Sequence, residues 1–236
     1  MKKICIWVLA VLLLAGCTQQ KEPEETMELP KAEQTLATTV PPVILPETVP
    51  TQLPVPESED VFVRVLDYIP TALQELKYAT ADNFTGQVIY SFEDAYLRYG
   101  TVKKLMLVSR DLEELGLALK IWDGFRPVSA QFTLWEVYPD PTYVANPNKG
   151  YSSHSRGNTV DLTLVDADGQ ELEMPTGFDD FSARADRNYS DCSETAENNA
   201  KILEILMEKH GFKGYFGEWW HFSDTTDYPV EAVFEP

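Results

Sequence analysis

Residues Gly214 to Phe222 read Gly-Tyr-Phe-Gly-Glu-Trp-Trp-His-Phe, a dense run of aromatic and polar side chains near the end of the chain. In this stretch an acid stands three positions before a histidine, and the pair Glu218 and His221 supplies a candidate proton carrier and a candidate metal ligand. Residues three apart on a regular strand point to opposite faces, so these side chains can share a site only if the chain bends. We predict two short strands around the pair.

A second stretch with metal-ligand character is Ser152–Asp161, which reads Ser-Ser-His-Ser-Arg-Gly-Asn-Thr-Val-Asp. Two imidazole nitrogens and one carboxylate oxygen, from His154, His221 and Asp161, suit zinc and leave a fourth position for water. Spacing alone also allows His154 to be an ordinary loop histidine and His221 to belong to an aromatic core. The third histidine, His210, is predicted at a helix C-terminus, where a cation is favoured, and has no ligand role.

Hydrophobic periodicity predicts interspersed helices and strands, and therefore a single α+β domain. Strands are expected at Val61–Leu66, Leu117–Trp122 and Thr159–Val165. Helices are expected at Phe92–Tyr99, Val102–Leu115, Ser129–Val137 and Glu194–His210. On the last helix we expect Ile202, Ile205, Leu206 and Lys209 along the inner edge, with Gly211 as a left-handed stop.

The start of the chain has the pattern of an export signal. Residues 1–17 contain a basic start, an apolar run and a small-residue cleavage site, and the run is too short to span a membrane. Leu-Ala-Gly-Cys, ending at Cys17, resembles the bacterial lipobox, whose cysteine is acylated. The sequence therefore predicts an extracytoplasmic lipoprotein that is held to the cell membrane through lipid on Cys17 alone.

Residues 18–60 are rich in Pro, Thr and Glu, which predicts a disordered linker, and residues 61–236 are predicted to form one catalytic domain. Cys192 is the one cysteine left in that domain, so no internal disulfide is expected. The formal net charge of −19 argues against nucleic acid as a partner, because phosphates require a basic face.

Four motifs in the same order carry a resemblance to a known family. Ser-x-His-x-x-Gly-x-x-x-Asp at Ser152–Asp161 and Glu-Trp-Trp-His at Glu218–His221 resemble the VanX-type D-alanyl-D-alanine dipeptidases. These are zinc peptidases of family M15, in the DD-peptidase/hedgehog-like superfamily. The blocks Lys77–Gly86 and Trp122–Pro127 match two further family motifs, and the resemblance extends over about Val61–Pro229.

The resemblance implies a role for each matching residue. One zinc ion per chain would be bound by His154, Asp161 and His221. Glu218 would act as general base and acid, and Arg126 would stabilise the oxyanion. From the residues alone, an arginine in a Gly-Phe-Arg-Pro turn is a solvated surface charge or a structural ion-pair partner.

The resemblance also implies substrate-binding residues, namely Tyr78, Ser152 and Asp179. Asp179 would bind the substrate ammonium, although the adjacent Asp180 allows the assignment to slip by one position. Without the resemblance, the two acids read as a solvated acidic turn.

The implied activity is zinc-dependent hydrolysis of D-Ala-D-Ala or a related cell-wall peptide. Two alternatives stay open: a D,D-carboxypeptidase that trims peptidoglycan stem peptides, and a non-catalytic zinc-containing lipoprotein that binds the cell wall. The export signal departs from the family, whose dipeptidases are commonly cytoplasmic, and suggests dipeptide recycling or stem trimming. The Glu-Trp-Trp-His form favours the dipeptidase, because related carboxypeptidases usually have another residue pair there.

Overall fold

The structure, a computed structural model, describes residues 55–236. The predicted export signal, the predicted acylation site Cys17 and the predicted linker up to residue 54 lie outside the described residues. Within residues 55–236, no helix combines the length and the apolar character needed to cross a bilayer.

Helices and strands alternate along the described chain without a repeating unit. They are β1 (Phe62–Arg64), α1 (Val65–Tyr68), β2 (Leu73–Gln74), β3 (Tyr96–Arg98), α2 (Tyr99–Glu113), β4 (Ala118–Asp123), α3 (Val128–Val137), β5 (Thr159–Val165), α4 (Glu194–Lys209), β6 (Phe212–Tyr215) and β7 (Glu218–Asp224).

A five-stranded sheet in the order β2-β4-β5-β7-β6 forms the centre of the domain. β2 and β4 run parallel, and the other neighbours are antiparallel. All seven residues of β5 are buried, so this central strand is covered on both faces. Helices combined with a largely antiparallel sheet confirm the predicted α+β class.

Helix α2 packs against β4 and α4 through one apolar face. Val102, Leu105, Val108 and Leu112 lie on that face and are fully buried. Their spacing of three and four residues is the period that places side chains on one side of a helix. Each such side chain stabilises the fold by about 1.5–3 kcal/mol through burial.

Helix α4 has the predicted extent to within one residue, and its predicted inner edge is right in part: Ile202 and Leu206 pack against the core, whereas Ile205 and Lys209 are exposed. The buried positions are Ala196, Ala200, Leu203 and Met207, whereas Ile205 is 63% exposed. The interior positions of α4 are set by contact with β6 and α2, not by the most hydrophobic side chains of the helix. Gly211, with φ +88°, does adopt the left-handed conformation.

The helix predicted over Phe92–Tyr99 is wrong. Tyr96–Arg98 is strand β3, which pairs antiparallel with β1, and α2 begins at Tyr99. Pairing with a distant segment overrides the weak local pattern here. For the same reason β1 is shorter than the predicted strand and continues directly into α1.

Among the remaining elements, β2 was not predicted, and three others agree with the sequence. β4, α3 and β5 confirm the predicted strand, helix and core strand to within about one residue.

Candidate metal centre and active site

One row of residues crosses three neighbouring strands of the sheet. Asp161 on β5 pairs with His221 on β7 and, on its other side, with Asp123 on β4. Side chains of directly opposite residues in antiparallel strands are neighbours, with Cβ atoms roughly 4.5–5.5 Å apart. The register of the sheet therefore places the predicted carboxylate ligand next to one of the predicted histidine ligands.

His154 joins this pair from a 3-10 turn, Ser153–Arg156, that leads into β5. Its Nε2 atom lies 3.3 Å from Asp161 Oδ2 and 3.4 Å from His221 Nδ1. His221 Nδ1 in turn lies 3.0 Å from Asp161 Oδ1. One ligand atom from each of the three residues therefore falls within 4.8 Å of the others, close enough for a single ion to contact them all.

The tautomer of His154 follows from its other ring nitrogen. Nδ1 lies 2.9 Å from the carbonyl oxygen of Gly124. Since a carbonyl can only accept, Nδ1 carries a ring proton, and Nε2 is the nitrogen that faces Asp161. The Ser152 hydroxyl accepts a hydrogen bond from the His154 backbone N–H at 3.3 Å and so helps to orient the turn.

The donor set fits a divalent metal ion. Asp161 Oδ1 is buried, and within the described residues its 3.0 Å contact with His221 Nδ1 lacks the geometry of a hydrogen bond. A buried carboxylate oxygen in that state is costly unless a cation satisfies it. Burial would raise the pKa of Asp161, but His154 and His221 hold it well below its usual range, so the carboxylate stays ionised as ligation requires.

Strand β7 departs from regular pairing at the point where it carries the predicted acid. Gly214 pairs with Phe222, but the next β6 residue, Tyr215, pairs with Glu218, which leaves the β7 residues in between without a β6 partner. This bulge is the bend that a shared site requires. It brings Glu218 Oε2 to 3.4 Å from His221 Nδ1.

Glu218 is held in a setting that favours its protonated form. The residue is 8% exposed, and burial raises the pKa of its carboxyl to about 8, with His221 acting in the opposite direction. A carboxyl with a pKa near neutrality is suited to proton transfer. A bound dication would favour the carboxylate and lower this pKa.

Arg126 is buried beside the cluster, so its interpretation as a solvated surface charge is wrong. Its Nε and Nη2 atoms donate to Asp123 Oδ2 at 3.0 and 2.7 Å, and Nη1 donates to Gln131 Oε1 at 3.0 Å. Nη2 also lies 3.7 Å from Asp161 Oδ2. Burial would lower the pKa of Arg126, but Asp123 raises it well above the ordinary value, so a permanent cation faces the site.

Asp123 lies beside the same cluster, although the sequence motifs did not indicate a role for it. Its Oδ1 accepts hydrogen bonds from the Tyr90 hydroxyl at 2.8 Å and from the Gly124 backbone N–H at 2.9 Å. A one-residue irregularity at Trp122 shifts the pairing just before it. The sequence feature that could have indicated Asp123 is its position three residues before Arg126 in the Trp-Asp-Gly-Phe-Arg-Pro block.

Asp179 and Asp180 have different surroundings. The Tyr78 hydroxyl donates to Asp179 Oδ2 at 2.8 Å, and burial raises the pKa of Asp179 to about 8 despite that hydrogen bond. Its backbone has φ +54°, a strained conformation for a non-glycine residue. Asp180 instead accepts the backbone N–H of Ser182 at 2.9 Å, so Asp179 is the acid that faces the cluster.

A single cavity of about 240 Å³ is lined by the three candidate ligands, by Arg126, Asp179 and Glu218, and by Ser152. Its outer wall is aromatic, with ring centroids 5.2 Å apart for Phe84 and Phe181 and 4.9 Å apart for Tyr143 and Phe181. Sites for drug-sized ligands measure roughly 300–1,000 Å³, so this cavity suits a smaller molecule.

Two histidines and a carboxylate beside a buried acid and a buried cation define the site of a metal-dependent hydrolase. Comparison with known proteins gives the family. The profile of the peptidase M15 family, described as D-ala-D-ala dipeptidase, matches residues 58–234. The chain belongs to this family and is a metallopeptidase.

Individual relatives agree with the family profile. The D-alanyl-D-alanine dipeptidase of Escherichia coli K12 is 39% identical over 160 residues, which cover 67% of this chain and 82% of that protein. The D-alanyl-D-alanine dipeptidase of Enterococcus faecalis V583 is 36% identical over 170 residues, covering 63% and 83% respectively. Among solved structures, the vancomycin-resistance D,D-dipeptidase VanXYg with a D-Ala-D-Ala phosphinate analogue has 18% identity and a TM-score of 0.36, over 56% of this chain and 52% of its own.

Proposed function

We propose that this protein hydrolyses the dipeptide D-Ala-D-Ala to two molecules of D-alanine, with one zinc ion bound by His154, Asp161 and His221. The observation that carries the proposal is the convergence of these ligand atoms within 4.8 Å, with Glu218 3.4 Å from one of them. The names of the relatives support the choice of substrate.

Two nitrogen donors and one carboxylate oxygen match catalytic zinc sites, which keep a further position open. Zinc in such a site supplies Lewis-acid activation of water and of a carbonyl oxygen. We assign to the surrounding residues the roles that the family resemblance implies, and their placement supports these roles. Glu218 accepts the proton of the attacking water and transfers it to the departing amine, which balances the hydrolysis. Arg126 donates hydrogen bonds to the scissile carbonyl oxygen as negative charge develops there.

The cavity favours a free dipeptide over a stem peptide. Asp179 presents to the cavity a partly buried carboxyl group that is already bound by Tyr78. An ionised carboxylate in this position would bind the free ammonium of a dipeptide, whereas an acylated amine offers no charge to compensate the partly buried acid. We place Ser152 at the same cavity as a hydrogen-bonding group for the substrate.

The test is hydrolysis of D-Ala-D-Ala and of N-acetyl-D-Ala-D-Ala by the zinc-loaded full chain, followed by the release of D-alanine. We expect cleavage of the free dipeptide alone. Cleavage of the acetylated substrate would instead indicate a D,D-carboxypeptidase. If zinc binds but neither substrate is cleaved, the wall-binding lipoprotein becomes the better hypothesis.

We further propose that the protein is anchored to the outer face of the cell membrane through acylated Cys17, since the sequence of residues 1–17 has the lipobox pattern. In a bacterial host, the wild type should sediment with membranes and incorporate labelled fatty acid. Cys17→Ser should do neither. Membrane association of Cys17→Ser without label would contradict the anchor.

A further inference from the structure

The bulge between β6 and β7 contains the side chain of a distant arginine, Arg187, which is only 6% exposed. Its Nε donates to the carbonyl oxygen of Tyr215 at 2.9 Å. Its Nη2 donates to the carbonyl oxygens of Trp219 and His221, both at 3.0 Å. Trp219 and His221 lie in the part of β7 that has no β6 partner, so the guanidinium supplies the donors that a regular strand would supply.

The contacts of Arg187 use the whole guanidinium. Nη1 lies 3.4 Å from Glu204 Oε1 and 3.5 Å from the Tyr189 hydroxyl, and Cζ lies 4.3 Å above the centre of the Phe222 ring. Arginine has five N–H donors in a planar fork, and here the fork makes four hydrogen bonds and one ion-pair contact. Lysine has neither the fork nor the flat face, so it cannot reproduce this arrangement.

Gly214 on β6 leaves the space that the guanidinium occupies. A Cβ atom at this position would lie 2.4 Å from Arg187 Cζ, 2.5 Å from Nε and 2.6 Å from Nη2. The backbone of Gly214 is outside the left-handed region, so alanine is compatible with its conformation. Position 214 therefore requires glycine because a Cβ atom would occupy the space that the Arg187 guanidinium fills.

We propose that Arg187 is a positioning residue for the active site. By binding the carbonyl of His221 and that of Trp219, it holds the β7 bulge in the one arrangement that turns Glu218 and His221 to the same side. Without Arg187, the carbonyl groups of Trp219 and His221 would gain hydrogen bonds if β7 paired with β6 in a regular register. That register would point residues three apart, such as Glu218 and His221, to opposite faces of the strand. This inference rests on the proposed function for its catalytic consequence, but its consequence for metal binding is independent of substrate.

The test compares Arg187→Met, Arg187→Lys and Gly214→Ala in the full chain, with Arg184→Met as a matched control. Arg184 is an exposed arginine three residues earlier. Gly214→Ala retains every donor and acceptor and only displaces the guanidinium, so it decides the question if Arg187→Met does not fold. Four quantities are measured: Co²⁺ affinity, the visible absorption spectrum of the Co²⁺ protein, the unfolding temperature, and kcat and KM per bound zinc.

We expect Arg187→Met and Gly214→Ala to lose about tenfold to hundredfold in Co²⁺ affinity, as for other outer-shell groups of metal sites. Their Co²⁺ spectrum should change, and kcat per bound zinc should fall by up to about a hundredfold, because small misplacements of catalytic groups have effects of that size. KM should change little, Arg187→Lys should not restore the wild-type values, and Arg184→Met should match the wild type.

A purely structural role would give a different pattern. The unfolding temperature would fall in Arg187→Met and Gly214→Ala, while the Co²⁺ spectrum, Co²⁺ affinity and kcat per bound zinc stayed at wild-type values, and this result would overturn the proposal. If the wild type itself cleaves neither peptide, the proposed function fails, but the Co²⁺ measurements still decide whether Arg187 positions His221.

Discussion

Replacing Glu218 by glutamine tests the assignment of the proton carrier most directly. Glutamine keeps the size of a side chain that is 8% exposed, so the cavity and the β7 bulge should persist. It removes the group that accepts a proton, because an amide does not become protonated near neutral pH. The change therefore separates proton transfer from packing.

The expected loss follows from the general acid–base role. Such groups contribute about a hundred- to ten-thousand-fold in rate, which corresponds to about 2.7–5.4 kcal/mol of activation free energy. Glu218 Oε2 lies 3.4 Å from His221 Nδ1, so the loss of its charge should also weaken zinc binding to a smaller degree. Activity must therefore be expressed per bound zinc.

A second effect concerns the metal-free protein. Burial raises the pKa of Glu218 from 4.5 to about 8. A raised folded-state pKa means that the metal-free wild type binds the proton more tightly than the unfolded chain, so its stability falls as the pH rises from about 4.5 through about 8. Glu218→Gln has no such group, and its unfolding free energy should decline less over the same interval.

The assay measures kcat at saturating D-Ala-D-Ala, zinc content, and urea unfolding of the metal-free protein from pH 5 to pH 9. Glu208→Gln, at an exposed position on α4, is the matched control and should behave as the wild type. A Glu218→Gln protein that retains kcat within a factor of about ten per bound zinc would refute the role of Glu218, since the smallest usual contribution is about a hundredfold.

Three further outcomes are expected. Asp123→Asn should lower the unfolding free energy by about 3–5 kcal/mol, because it leaves a buried guanidinium without its carboxylate. Since Arg126 loses the partner that orients it, kcat/KM should fall by up to about a hundredfold, and unchanged steady-state kinetics would contradict this. Tyr78→Phe removes the hydrogen bond that lowers the pKa of Asp179. Because substrate binding requires the ionised acid, the acidic limb of the pH profile of kcat/KM, which lies at or below about pH 8 in the wild type, should move to higher pH. Leu203→Ala should cost about 2–5 kcal/mol in urea unfolding, whereas Ile205→Ala, at an exposed position, should change the unfolding free energy by less than about 0.5 kcal/mol.

Much of the architecture could be predicted from local patterns. The apolar spacing of Val102–Leu115 and the alternation of polar and apolar residues in Thr159–Val165 predicted α2 and β5, because each type of element has its own period in the sequence. The chemical types of the candidate ligands were equally visible, since histidine and aspartate offer the same donor atoms in any fold. Their roles in the site stay predictions until the variants are measured.

Several features depended on contacts between distant segments. Tyr96–Arg98 is a strand because β1 lies beside it, and Ile205 faces solvent because of how α4 meets β6 and α2. The difference between Asp179 and Asp180 depends on which one the Tyr78 hydroxyl reaches, across 101 positions of sequence. Such pairings between distant segments cannot be predicted from the local sequence.

The stretch Gly214–Phe222 shows which features the sequence determines and which features depend on the tertiary structure. The sequence by itself determined that an acid and a histidine stand three apart among aromatic residues, and it determined the condition under which they could cooperate. Only the tertiary structure decided that the condition is met, through a bulge in β7 that contains the guanidinium of Arg187. The physical reason is that strand register is set by hydrogen bonds to neighbouring chain segments, and these segments are far apart in the sequence.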